Sequence, residues 1–231
     1  MTDDNTSIES LIDNQKPGRA LDQRFYTDPE IYHLELNRIV TRNWILAGHT
    51  SQIPNVGDYL TFKLANESAI IVRSSDGNIK AFANVCRHRG SLICLENHGN
   101  KRKFQCPYHG WTYDLNGKLI AAHSMAMEFN KEKHSLHPIS LELLGNLLFV
   151  CFCDKPPSLE GAQSDLAEPM AMFDFENLKV AANKVYPIAA NWKLAIENYQ
   201  ECYHCATAHP DYARMHTLML NAKKRDRIQK P

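Results

Sequence analysis

Four side chains in two short motifs carry the clearest chemistry in this 231-residue sequence: Cys86-Arg87-His88 and Cys106-Pro107-Tyr108-His109. The pattern is Cys-x-His, then residues 89–105, then Cys-x-x-His. Two thiolates and two imidazoles can close a Cys₂His₂ zinc site, or a [2Fe–2S] centre in which two imidazoles replace two thiolates on one iron. Zinc fingers usually group cysteine with cysteine and histidine with histidine, whereas here each motif brings one of each. That mixture suits a cluster whose two irons draw one ligand of each kind from two loops. Neutral imidazole ligands set such a centre at roughly −150 to +300 mV, against about −400 mV for the all-cysteine plant-type clusters.

The second dense region is Asn191-Trp192-Lys193-Leu194-Ala195-Ile196-Glu197-Asn198-Tyr199-Gln200-Glu201-Cys202-Tyr203-His204-Cys205-Ala206-Thr207-Ala208-His209-Pro210. On a regular helix Glu201 and His204, three apart, share a face. His204 and His209, five apart, lie about 140° from each other and converge on one metal only if the helix widens or breaks between them. Ala206-Thr207-Ala208 is small enough to allow this, and Pro210 stops the helix soon after. Two histidines and a carboxylate make the facial triad of non-haem Fe(II) sites. On the residues alone, a histidine pair near a helix end is more often a surface or core feature than a metal site. Cys202 and Cys205 imitate a zinc half-site, but no second half-site is free, and they read as helix packing residues.

The elements that must position these groups are legible from periodicity. Residues 1–20 are polar and acidic and read as a flexible arm. Residues 21–44 read as a helical segment, with Thr27-Asp28-Pro29-Glu30 a helix start and a helix over about 29–41. Strand signals follow at 59–64, 68–73, 79–82, 103–105, 112–114, 118–120 and 146–152, with turns at Asp76-Gly77-Asn78 and Asn116-Gly117. Residues 45–153 therefore form an all-β unit, and each Cys-His motif falls at a tight turn after a strand. Residues 154–165, with Asp154-Lys155-Pro156-Pro157-Ser158, read as a linker. Beyond it lie a helix over 166–175, a strand over 179–186 and a helix over 191–204.

Lys and Arg number 26 against 26 Asp and Glu, so no net charge argues for a nucleic-acid or anionic-membrane partner. No apolar run approaches the ~20 residues of a membrane helix. The start of the chain lacks the basic and apolar regions of a secretion signal, which suggests the cytoplasm. The seven cysteines are odd in number and irregularly spaced, as expected of ligands and core residues rather than a disulfide framework. The basic run from Lys223 to Lys230 reads as a solvated surface.

Asn84-Val85-Cys86-Arg87-His88-Arg89-Gly90 and Cys106-Pro107-Tyr108-His109-Gly110-Trp111-Thr112-Tyr113-Asp114 resemble the Rieske signature of the large (alpha) subunit of Rieske non-haem iron oxygenases. The likeness extends through Phe25-Tyr26-Thr27-Asp28-Pro29-Glu30 and over most of residues 20–215. It implies an α+β chain: an all-β Rieske domain after an N-terminal helical segment, then the beginning (166–231) of a helix-grip-type catalytic domain. It implies a [2Fe–2S] cluster on Cys86, His88, Cys106 and His109, and a mononuclear Fe²⁺ on His204 and His209. The family's third, carboxylate iron ligand comes much later than Pro231, so the chain reads as C-terminally truncated. Glu201 stands where aromatic-ring dioxygenases carry an aspartate that links an iron-ligand histidine to a Rieske histidine of the next subunit. By that analogy Glu201 bridges His204 and His109 of another copy in a homotrimer. Electrons would come from NAD(P)H through a separate flavin/iron–sulfur reductase, with dioxygen as co-substrate. The wording Glu-Asn-Tyr-x-Glu-Cys-Tyr-His-Cys resembles the branch that oxidises choline, glycine betaine, carnitine or stachydrine, and implies hydroxylation of a small N-methylated cation. An aromatic ring-hydroxylating dioxygenase, or a Rieske electron-transfer protein without oxygenase activity, are the alternatives.

Overall fold

The computed structural model describes residues 7–126 and 128–215. The basic run at 223–230 lies outside them. The chain divides into two compact units, residues 34–184 and residues 1–33 with 185–231.

The larger unit is built on antiparallel strands. In chain order they are β1 (Ile45–His49), β2 (Asp58–Leu64), β3 (Glu67–Arg73), β4 (Ile79–Ala83), β5 (His98–Asn100), β6 (Phe104–Gln105), β7 (Thr112–Tyr113), β8 (Leu119–Ala121), β9 (Pro138–Leu144) and β10 (Leu147–Cys151). Seven of them form one sheet, ordered β1-β10-β9-β4-β3-β2-β5, and the remaining three form a small sheet ordered β6-β7-β8. Strands β1, β5 and β9 were not expected from the sequence. The other seven fall where alternation or β-branching places them, and Asn116-Gly117 lies in the turn from β7 to β8, where Gly117 takes φ +77° and its N–H donates to the Asp114 carbonyl at 3.1 Å.

The sheet separates two cores, and side-chain alternation assigns each residue to one of them. Tyr59, Ile70, Val72 and Phe82 point to the first core, where Phe104 and Tyr113 of the small sheet meet them. Their neighbours Leu60, Ile71 and Ala81 point to the second, with Leu148 and Val150. Strand β3 is therefore buried on both faces, which is why Ala69-Ile70-Ile71-Val72 is a continuous apolar run. Cys86 and Cys106 belong to the first core.

The 3-10 turn Val40–Arg42 precedes β1, and helix α4 (Glu160–Met172) begins inside the segment read as a linker, earlier than its apolar residues indicated. Among the described residues 179–186 pair with no strand, contrary to their alternation, and they are exposed.

In the smaller unit, a short helix α1 (Ile8–Asp13), capped by Ser7, lies inside the segment read as an arm. It is followed by α2 (Arg24–Thr27) and by α3 (Pro29–Arg38), whose C-terminal half belongs to the larger unit. The expected helix over 191–204 is interrupted. Helix α5 (Trp192–Gln200) ends at Glu201, which is extended at φ −107°, ψ 128°. Helix α6 (Cys205–Ala208) is a single turn, His209 leaves it at φ −132°, ψ 63°, and α7 (Pro210–Met215) starts at the proline.

Candidate metal centres

The first candidate centre lies at the tips of two loops with the same main-chain frame. In one, Gly90 N–H donates to the Cys86 carbonyl (3.0 Å) and Cys86 N–H to the Ser91 carbonyl (2.8 Å). In the other, Gly110 N–H donates to Cys106 (3.0 Å) and Cys106 N–H to Trp111 (2.8 Å). Each loop closes on a glycine four residues after its cysteine, both at φ +73°, a left-handed conformation that glycine adopts without the Cβ penalty. Within this shared frame the histidine sits two residues after the cysteine in one loop and three in the other.

The loops bring all four predicted ligands together. Cys86 and Cys106 are buried, at 3% and 2% exposure, while His109 is exposed and His88 half-buried. The two Nδ1 atoms face each other at 3.2 Å, with ring centroids 4.5 Å apart. His88 stacks on Trp111 at 4.9 Å and 12°, and His109 lies against Tyr108 at 3.8 Å. The arrangement has a dry, sulfur-bearing floor and an accessible imidazole rim. Burial pushes the Cys86 thiol up, and the nearby Cys106 adds to this. Two donors oppose it: the Tyr113 hydroxyl, 3.4 Å from Cys86 Sγ, and the His88 backbone N–H. Burial and the facing His109 hold His88 below the ordinary imidazole value. A cationic group that replaces the thiol protons and accepts two imidazole nitrogens fits this donor set.

Two supporting residues carried no individual role in the sequence reading. Buried Asn84 pins the first loop: its Nδ2 donates to the Cys94 carbonyl (2.8 Å) and its Oδ1 accepts from the Ile93 (3.1 Å) and Cys94 (2.8 Å) amides. Tyr113 is fully buried, and its oxygen accepts from Arg87 N–H at 3.0 Å while facing Cys86. Their sequence signal is faint, a polar residue at an otherwise inward-facing position beside a motif. Cys94 is likewise buried, and desolvation pushes its thiol up to about 11, as suits a core residue.

The second candidate centre is local. Glu201 and His204 do not share a helix face, because α5 has already ended; the carboxylate turns back instead, accepting from Tyr203 N–H (2.8 Å) and meeting His204 Nδ1 at 2.6 Å. The His204 contact holds the Glu201 carboxyl below the usual range. His204 and His209 converge, with ring centroids 5.4 Å apart at 80°, because α6 is one turn long and breaks at His209. Glu197 accepts a hydrogen bond from the Tyr26 hydroxyl at 2.7 Å, and Asp211 faces Arg214 at 3.5 Å. Of the two cysteines beside this pair, Cys205 is buried, while Cys202 is exposed and is not a packing residue.

Residues 43–132 match the Rieske [2Fe-2S] domain, and residues 175–228 match the ring hydroxylating alpha subunit (catalytic domain). The chain thus carries a Rieske [2Fe-2S] domain followed by part of a ring hydroxylating alpha subunit catalytic domain. It is 41% identical over 202 residues to the glycine betaine monooxygenase oxygenase subunit of Chromohalobacter salexigens, covering 87% of this chain and 45% of that protein. It is 35% identical over 193 residues to the carnitine monooxygenase oxygenase subunit of Acinetobacter baumannii, covering 82% and 52%. The fold superposes on the quaternary ammonium Rieske monooxygenase CntA in complex with L-carnitine, with a TM-score of 0.76, 35% identity and coverage of 83% and 55%. The chain thus spans about half the length of the curated relatives it matches. No helix among the described residues is long and apolar enough to cross a membrane.

Proposed function

We propose that this chain is part of the oxygenase component of a Rieske monooxygenase acting on a small N-methylated quaternary ammonium compound. Cys86, His88, Cys106 and His109 hold a [2Fe–2S] cluster; His204 and His209 hold a mononuclear Fe²⁺. The metals, when bound, supply one-electron transfer and activation of dioxygen for C–H hydroxylation. The side chains do the rest. The buried cysteines anchor the cluster in the first core, and the exposed His109 leaves one edge of it within reach of another protein. Tyr113 and the His88 amide donate hydrogen bonds to the Cys86 sulfur. Glu201 fixes the orientation of His204 through Nδ1, leaving Nε2 for a metal, and links it to His109 of a neighbouring copy in a homotrimer. A separate flavin/iron–sulfur reductase supplies electrons from NAD(P)H. The third, carboxylate iron ligand comes from outside the described residues, as the family resemblance implies. The domain divisions at 20, 44, 153 and 165 belong to the same reading.

The observation that carries the reading is the pair of like-framed loops that sets two buried sulfurs beneath two facing imidazoles. The preference for a quaternary ammonium substrate rests on the likeness to proteins named for glycine betaine and carnitine. The test is metal analysis after anaerobic reconstitution, on a chain extended to the relatives' length. About three irons and two acid-labile sulfides per chain, falling to about two irons in His204→Ala with the cluster spectrum kept, support it. Absence of labile sulfide removes the cluster assignment, and a content of about two irons in the unsubstituted protein favours an electron carrier.

A further inference from the structure

Outside both candidate centres, the end of β10 brings two thiols together. Cys151 Sγ and Cys153 Sγ lie 3.2 Å apart and are not bonded. Cys151 is fully buried and Cys153 half-buried. Each also faces one of two consecutive carbonyls on the strand-entry segment, Cys151 that of Thr41 and Cys153 that of Arg42, both at 3.8 Å. Cys153 opens on a cleft of about 480 Å³ that is also lined by Arg42, Asp154 and Lys155. No metal role is needed to explain this pair, and cluster and iron assignments make no use of it. What the geometry supplies is an accessible sulfur with a buried second sulfur directly behind it.

We propose that Cys151 and Cys153 are a redox-active dithiol that reduces a hydroperoxide and closes to a disulfide. The accessible Cys153 sulfur attacks one peroxide oxygen: an S–O bond forms, the O–O bond breaks, and the departing oxygen leaves as water once protonated. Arg42 and Lys155 supply hydrogen-bond donors for that oxygen in the same cleft. Cys151 then attacks the Cys153 sulfenic acid: an S–S bond forms, the S–O bond breaks, and the second oxygen leaves as water with the Cys151 proton. Two thiols lose two electrons and one hydrogen peroxide becomes two waters. Closure requires the sulfurs to approach by roughly 1.2 Å, to the ~2.05 Å of a disulfide. It also withdraws both S–H donors from the Thr41 and Arg42 carbonyls. The separation in accessibility fixes the order, with Cys153 oxidised first and Cys151 resolving.

The test exposes the intact, metal-loaded chain to hydrogen peroxide, then denatures it with iodoacetamide and maps the peptides. The expected product is a Cys151–Cys153 peptide about 2 Da lighter, unalkylated, and returned to two alkylated thiols by dithiothreitol. Cys151→Ser should instead accumulate a Cys153 sulfenic acid that dimedone traps, and Cys153→Ser should leave Cys151 alkylated throughout. Two alkylated thiols after peroxide, a bridge to any other cysteine, or a bridge formed only when the chain is unfolded before exposure overturns the proposal. The readout is sulfur chemistry alone, so failure here leaves the cluster and iron assignments standing.

Discussion

Tyr113→Phe isolates one hydroxyl at the floor of the first candidate centre, where the proposed cluster would sit. The phenylalanine keeps the ring that fills the first core, so packing is nearly unchanged, and two hydrogen bonds disappear: Arg87 N–H to the oxygen at 3.0 Å, and the hydroxyl to Cys86 Sγ at 3.4 Å. A ligating Cys86 has no proton, so the hydroxyl must be the donor in that second bond. Reduction adds negative charge to the cluster sulfurs, and a donor stabilises the more charged state more. Hydrogen bonds to charged groups are worth about 1.5–3 kcal/mol against about 0.5–1.5 kcal/mol for neutral ones, so the reduced state gains roughly 1–1.5 kcal/mol more from this hydroxyl. At about 1.36 kcal/mol and 59 mV per factor of ten for one electron, the variant's potential should fall by about 40–65 mV. The orphaned Arg87 amide should also cost about 1 kcal/mol of folding stability. The assay is a redox titration followed by the electron-spin-resonance signal of the reduced cluster, beside urea unfolding. A potential unchanged within about 10 mV, or raised, with the cluster fully loaded would refute the donor assignment.

Other perturbations separate the remaining parts. Glu201→Gln should slow reoxidation of the reduced cluster by about 10–100-fold while the cluster spectrum stays intact; unchanged reoxidation kinetics would remove the bridging role. Because the Glu201 carboxyl is held below its ordinary 4.5, mainly by His204, its contribution to the turn is fully present above that value and is lost as pH falls through the lowered one. A carboxylate NMR titration with a midpoint at or above 4.5 would contradict the contact. Asn84→Ala leaves the Ile93 and Cys94 amides without their acceptor and should cost about 2–4 kcal/mol by urea unfolding, with faster cluster loss. Gly117→Ala should destabilise by about 2–5 kcal/mol, since its φ is +77° and a Cβ would stand 2.6 Å from the Phe82 ring; Gly90→Ala, equally left-handed but in open space, should cost about 1–2 kcal/mol in the same assay.

The sequence was most informative where one physical rule acted alone. Strands β2, β3 and β4 were readable because each buries at least one face and shows it as alternation or a continuous apolar run. Strand β5 was not, because His98-Gly99-Asn100 buries little; Gly99 is there because a side chain would meet the Tyr59 ring at 3.0 Å. That is a tertiary reason with no local signature. The alternation of 179–186 misled for the opposite cause: it describes a face to be buried, and no strand among the described residues pairs with it. At the first centre, residue types and spacing were enough to single out four side chains that the fold brings close together, but not the identical frame of the two loops or the supports from Asn84 and Tyr113. At the second, the requirement for a break between His204 and His209 was readable from their angular separation. The earlier break at Glu201 was not, because nothing in Gln200-Glu201-Cys202 is a strong helix breaker.

The two candidate centres differ in what holds them. Cys86 and Cys106 are core residues, packed with Ile70, Val72 and Phe104, so the cluster loops cannot move without disturbing a sheet face. Among the described residues, the hydrogen bonds that position Glu201, His204 and His209 are local: Glu201 to His204, His209 N–H to the Cys205 carbonyl, Ala213 N–H to His209. A site built on one-turn helices opens locally at low cost, whereas a site in the core opens only with the domain. The tight hold suits an electron carrier, whose potential depends on fixed hydrogen bonds to sulfur. The loose hold leaves the histidine pair dependent on further contacts for its rigidity, and the carboxylate that this reading brings from outside the described residues would supply both the missing charge and the missing constraint.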